Sequence, residues 1–199
     1  NTVTLAKLAS GTDGNLISYD ASGNPVAVAT GNDGQVLTSA GAGAVPAFET
    51  PASATNTPAF EATLGGSQAV SDGVITKLTF TSETFDSDGT FASSRFTPAV
   101  AGTYFVYFKA LTDPAAYGNE NNSDTYFYKN GSNSGGFQTN FMTGGNASAD
   151  GATAVCHTNH GIFVLDDNDY IEVYGAVNTW NGNNGNFKQK VFGGYRIII

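Results

Sequence analysis

Cysteine is almost absent from this chain: Cys156 is the only one in 199 residues, so no internal disulfide can form and stability must come from a packed core. Cations are scarce as well. There are 8 Lys+Arg against 17 Asp+Glu, a net charge of -9, and the basic footprint that grips phosphates is missing. Nucleic acid is therefore excluded as an expected partner. No apolar run approaches the ~20 residues that span a bilayer, so membrane insertion is not expected either. Neither a Gly-x-Ser-x-Gly elbow nor a P-loop occurs, and neither histidine lies in a nucleophile motif, so an enzyme is not expected and no cofactor is implied. The chain starts at Asn1 without Met, a basic n-region or an apolar h-region, which reads as a processed form or a piece of something longer. No segment has a convincing helical period.

What is present is glycine, 25 of them, and aromatics at 12%, among many Thr, Ser and Asn. That composition describes an all-β protein with many turns; a disordered chain would lack the Phe and Tyr. Three regions follow from it. Residues 1–50 hold short β-prone pieces (Leu16-Ile17-Ser18-Tyr19, Val26-Ala27-Val28 and Gln35-Val36-Leu37-Thr38) split by Asp-Gly and Gly-Asn-Pro turn signals. Each is too short to bury a core alone, and such a segment is stable if wound around copies of itself. The alternative is a leader that gains order only on assembly. Residues 51–58 are Pro- and Thr-rich and read as a stiff linker.

From 59 to 199 strand follows strand, at 59–64, 74–81, 90–96, 103–111, 125–129, 137–142, 154–165, 170–177 and 191–199. Alternation points Leu78, Phe80, Ile171 and Val173 inward. About ten antiparallel strands suit a ten-stranded two-sheet jelly-roll sandwich. The run Tyr104-Phe105-Val106-Tyr107-Phe108 is too apolar for a strand with one wet face. It must be covered on both sides, by a second sheet, another subunit, or both.

The stretch FDSDGTFASSRFTPAVAGTYFVYF resembles the signature of complement component 1q-like globular domains, which share the tumour necrosis factor fold. Phe80, Asp86, Phe91, Phe96, Gly102, Tyr104 and Phe108 follow that series. Only four residues separate Phe91 from Phe96, where six are usual, and Val106 stands where an aromatic is usual. Pro58-Ala59-Phe60 resembles the family's opening, and Phe192, Gly194 and Tyr195 its closing strand. The resemblance implies a compact homotrimer, with the signature residues in the core and against neighbouring subunits. Separately, Gly14-Asn15-Leu16-Ile17-Ser18-Tyr19-Asp20, then Gly34-Gln35-Val36-Leu37-Thr38 and Pro46-Ala47-Phe48, resemble a segment recurring in bacteriophage tail-fibre and other virion appendage proteins. Asn15 replaces the usual Asp, and Phe48 the common Trp. Together these resemblances imply a structural virion protein: a trimeric fibre or appendage subunit at the particle surface, partnered by other virion proteins and by a host-surface glycan or protein. A secreted bacterial surface or filament subunit is the alternative.

Few residues have metal-ligand chemistry. His157 and His160 fall on opposite faces of a strand, which disfavours one chain clamping an ion with both, although a threefold axis could gather three copies of one. Asp166 and Asp169 lie in a turn that lacks the spacing of a calcium loop, so a solvated turn is expected. Asn-x-Ser matches at Asn121, Asn130 and Asn146 are expected by chance in so Asn-rich a chain. The loop 178–187 contains the only tryptophan, Trp180, among Asn181, Asn183 and Asn184. An indole amid amides is the chemistry that stacks on a sugar ring while hydrogen-bonding its hydroxyls.

Overall fold

Asp-Gly turns shape the first fifty residues into two small hairpins. In the computed structural model, which describes residues 10–51, 56–114, 120–142 and 154–197, β1 (Leu16–Tyr19) pairs with β2 (Pro25–Val28) and β3 (Val36–Thr38) with β4 (Ala47–Glu49). Asp13-Gly14-Asn15-Leu16-Ile17 and Asp33-Gly34-Gln35-Val36-Leu37 stand twenty positions apart and open the two hairpins in the same way, so the segment is a tandem repeat. Gly14 and Gly34 adopt φ of +78° and +83°, and Gly23 and Gly43 φ of +79° and +80°, at matching turns. Phe48 lies where a Cβ on Gly31 would sit only 2.6 Å from it. Apart from Val28, these strands bury little, and Leu16, Ile17, Tyr19, Val36 and Leu37 are exposed.

The chain divides into two compact units, Asn1–Ala54 and Thr55–Ile199. Of the stretch expected as a linker, residues 52–55 lie outside the described residues. Pro58 is buried, and its carbonyl accepts the Arg196 N–H, so the chain already belongs to the second unit there.

That unit is a sandwich of two antiparallel sheets. Its strands are β5 (Ala59–Val70), β6 (Thr76–Lys77), β7 (Ser82–Asp86), β8 (Phe91–Ala92), β9 (Arg95–Phe96), β10 (Gly102–Pro114), β11 (Glu120–Lys129), β12 (Ser132–Met142), β13 (Val155–Leu165), β14 (Ile171–Thr179) and β15 (Gly185–Ile197). The first sheet runs β13-β10-β15-β5-β7. The second runs β12-β11-β14-β9-β8, with β6 added beside β14. From β10 onward the chain crosses between the sheets repeatedly, so the fold is a jelly roll. Between the sheets Phe60, Phe80, Phe91, Phe96, Phe108, Phe127 and Phe192 form one ring cluster, with Phe60 stacked on Phe96 at 4.4 Å and edge-on to Phe192 at 4.9 Å. Burying each such ring contributes about 1.5–3 kcal/mol, and offset or edge-on contacts add to that.

Two signature residues have local explanations. Asp86 Oδ2 accepts the Phe91 N–H at 2.8 Å and Oδ1 the Thr90 hydroxyl at 3.1 Å, so it closes the turn into β8. Partial burial pushes this carboxyl up, but those hydrogen bonds outweigh it and hold it below the usual range. The Tyr104 hydroxyl donates to the Val100 carbonyl at 2.6 Å and pins the turn before β10.

Several strands differ from expectation: β5, β11 and β12 are each five or six residues longer, and three further differences change the layout. Only Thr76–Lys77 of 74–81 is regular, and a strand at Ser82–Asp86 follows it. Residues 90–96 form a tight hairpin instead of one strand, because Ser93 and Ser94 turn with φ of 50° and 58° without any glycine to signal it. The last strand starts at Gly185, ahead of the expected 191.

Candidate assembly face

Strand β10 sorts its aromatics by parity. Tyr104, Val106, Phe108 and Ala110 point into the sandwich and are fully buried, whereas Phe105 and Tyr107 point outward and are half-buried. Register then decides their neighbours. Phe105 lies opposite Ile162 on β13 and Tyr195 on β15, and Tyr107 lies opposite His160 and Gly193. The Phe105 ring sits 5.5 Å from Tyr195, 5.9 Å from His160 and 6.2 Å from Tyr107. Gly193 makes room for this layer: a Cβ there would meet the Tyr107 ring at 2.4 Å, so the ring lies flat on the backbone. The Tyr107 hydroxyl donates to Glu61 Oε2 at 2.7 Å on the other side of β15. Burial, and then the Glu61 carboxylate, push that phenol well above its ordinary value.

Around these rings the outer face stays apolar and open. Val164 is 72% exposed, Ile162 59%, Phe85 49% and Tyr195 40%. A contiguous aromatic and aliphatic layer on the outside of a sheet whose inside is already full is the composition of a protein–protein contact. Among the described residues, β10 is packed into a core on one side only, and its outward rings are half-buried.

The second sheet's outer surface is different. Glu172, 3% exposed, accepts Lys77 Nζ at 2.7 Å and Arg95 Nε at 2.9 Å, both on Oε1. Its own burial pushes it up, but Lys77 and Arg95 outweigh that and hold the carboxyl down. Ile171 and Val173 point inward as their alternation predicts, and the ion pairs let Glu172 be buried between them on the other face.

The other sequence-derived candidates fall as follows. Phe80, Phe91, Phe96, Tyr104, Phe108 and Phe192 are core residues. A Cβ on Gly194 would press on the Phe105 carbonyl at 2.9 Å, and one on Gly102 would meet Arg196 Nε at 2.7 Å. Tyr195 belongs to the outer face. His157 and His160 occupy opposite faces of β13. His157 is buried between Ser123 Oγ at 2.7 Å and Thr139 Oγ1 at 3.0 Å, and desolvation lowers its affinity for a proton. Cys156, the chain's single cysteine, is exposed.

Asp169 accepts Lys129 Nζ at 2.7 Å, Asn130 Nδ2 at 2.6 Å and the Asp166 N–H at 2.8 Å, so its oxygens are committed to clasping a turn. Among the described residues no three His, Cys, Asp or Glu side chains converge. Of the loop expected at 178–187, only 180–184 is loop. Asn178 and Thr179 end β14, and Phe187 is a fully buried β15 residue. Trp180, Asn181, Asn183 and Asn184 are all exposed at this hairpin tip, which Asp72 braces through the Thr179 N–H at 2.7 Å. Because Gly185 pairs with Val70 and Tyr195 with Ala59, the tip lies at the opposite pole of the sandwich from Ala59.

Sequence reasoning missed Lys190, which is 1% exposed. Its Nζ hydrogen-bonds Gln68 Oε1 and lies 5.7 Å from the Phe80 ring, and burial pushes it down to about 8. A lysine on a strand reads as solvated, and only the bulge at Lys188–Lys190 turns it inward.

Comparison with protein-family models and with curated proteins gives no match. Among solved structures the chain is similar to the globular domain of zebrafish complement 1qA protein, at 16% identity and a TM-score of 0.47, over 71% of this chain and 98% of that one.

Proposed function

We propose that this chain is a structural assembly subunit whose second unit is a homotrimerising head. The observation that carries this reading is the two-sided character of β10, with a complete aromatic core on one side and an uncovered aromatic–aliphatic layer on the other. Closed threefold association through that layer gives every copy the same contact and leaves no open surface to nucleate filaments. Full-length chain at micromolar concentration should scatter light with three times the chain mass, and a stable monomer would overturn the reading.

The tandem hairpins of the first unit fit the same scheme. Strands this short are marginal alone, and the exposed pairs Leu16/Val36 and Ile17/Leu37 recur with the repeat. We read residues 1–50 as a stalk or anchor that winds with its copies. The resemblance of this segment to tail-fibre sequences supports a place in a phage particle, exposed at the virion surface beside other virion proteins. Finding the polypeptide in purified particles tests that, and finding it only on bacterial surfaces favours the secreted or filament alternative. A second role rests on the tip at 180–184. Its exposed indole and three amides, at the pole away from Ala59, suit contact with a host-surface glycan.

A further inference from the structure

The second sheet holds a feature that assembly through the first does not use. A cleft of about 490 Å³, lined by Lys77, Gly89, Thr90, Ala92, Ser93, Arg95 and Thr97, opens beside the β8–β9 hairpin. It carries an unusual charge for this molecule. The whole chain has 8 Lys+Arg and a net charge of -9, yet two cations meet here over one carboxylate oxygen of Glu172. The cluster of these three keeps one positive charge, with the Lys77 and Arg95 side chains 30% and 42% exposed, while the Asp86 carboxylate stands behind the cleft's Thr90, whose hydroxyl it accepts at 3.1 Å. Lys129 and Lys188, by contrast, each pair singly with one carboxylate, Asp169 and Asp113.

Both cations are held in place before any ligand arrives. Lys77 Nζ donates to the Ser93 carbonyl at 2.9 Å as well as to Glu172, and the Arg95 guanidinium lies 3.8 Å over the Tyr170 ring. Arg95 uses Nε for Glu172, which leaves its Nη groups for an anion in the paired geometry that carboxylates and sulfates accept. The rest of the lining is hydroxyl-bearing or small: Thr90, Ser93, Thr97, Gly89 and Ala92. That wall offers hydrogen bonds to hydroxyls beside a comparable apolar area, the mix that a sugar ring with polar edges and apolar faces meets. We propose that this cleft binds an acidic sugar, with its carboxylate or sulfate on Arg95 and Lys77 and its hydroxyls on the threonine and serine side chains. The site lies at the free edge of the second sheet, so it is independent of whether the first sheet's face trimerises.

Titration calorimetry on the full chain with glucuronate, glucose 6-sulfate, inorganic sulfate and glucose tests this. Millimolar or tighter binding of glucuronate or glucose 6-sulfate, with glucose failing to bind, is the expected result, and the two acidic probes separate carboxylate from sulfate recognition. Arg95→Gln should weaken that binding at least tenfold. Glu172→Gln removes the neutralising charge and should strengthen it severalfold, provided the variant keeps the wild-type circular dichroism spectrum. Lys188→Gln, in the Asp113 ion pair on the first sheet, should change nothing. The proposal is overturned if neither acidic sugar binds, if inorganic sulfate binds as tightly as both, or if a well-folded Arg95→Gln protein binds the sugar unchanged.

Discussion

Replacing Ile162 and Val164 together by serine should dissolve the assembly while sparing the fold. Both residues sit on the outward parity of β13, at 59% and 72% exposure, so neither supports the sandwich core. Complete burial of a Val or Ile side chain is worth about 1.5–3 kcal/mol, so covering the exposed part of each contributes about 1–2 kcal/mol. The double change therefore removes about 3 kcal/mol from each protomer's contact, roughly a hundredfold in association. Sedimentation velocity over a dilution series should show the wild-type trimer persisting where the variant has become monomeric. Far-UV circular dichroism should be the same for both, because Tyr104, Val106 and Phe108 still fill the inner face. An unchanged trimer in the variant at every dilution would refute the placement of the interface on this face. A variant that loses its β spectrum would refute the claim that these side chains lie outside the core.

Lys190 predicts an alkaline gain in stability. Its folded value of about 8 lies below its ordinary 10.5, so protonated Lys190 is disfavoured in the fold, and stability rises as pH climbs from 8 toward 10.5. Lys190→Met should abolish that slope and add up to about 3 kcal/mol at pH 7, as read by urea unfolding. Asp169 acts with the opposite sign. Its clasp on Lys129, Asp166 and Asn130 holds it down to about 2, so its contribution is complete above the ordinary carboxylate value and is lost as pH falls through 2. Asp169→Asn should flatten the acid limb of a melting-temperature profile, and an unchanged limb would count against the clasp. Trp180→Ala should keep the melting temperature and lose adsorption to host-surface glycan. Lost stability would make the indole structural, and no change in either would retire the tip as a contact.

Much of the head was legible because its signals are local or periodic. The spacing from Phe80 through Asp86 and Phe91 to Phe108 marks a turn closed by a carboxylate and a strand pinned by a tyrosine, and both are visible as short-range hydrogen bonds. The strand content and the inward set of Phe80, Ile171 and Val173 follow from alternation. What was not legible depends on long-range partners. Glu172 is buried because Lys77 and Arg95, far away in sequence, reach it. Lys190 turns inward at a bulge that has no sequence signal, and Gln68 meets it there. The Ser93–Ser94 turn adopts a backbone usually given to Asn-Gly, so its hairpin hid inside what looked like one strand. Phe187 looked like loop because its flanking Asn and Gly residues resemble a turn, while pairing with Gln68 across the sheet makes it core.

The pairing of β5 with β15 also determines how the head would respond to force. The chain enters β5 at Ala59, at one pole, while β15 begins at Gly185 beside the Trp180 tip, at the other. Tension between the upstream chain and a ligand held at the tip pulls these antiparallel neighbours along their length in opposite directions. The ladder from Gly185–Val70 to Tyr195–Ala59 is then sheared as a whole, so its hydrogen bonds resist together instead of opening one at a time like a zip.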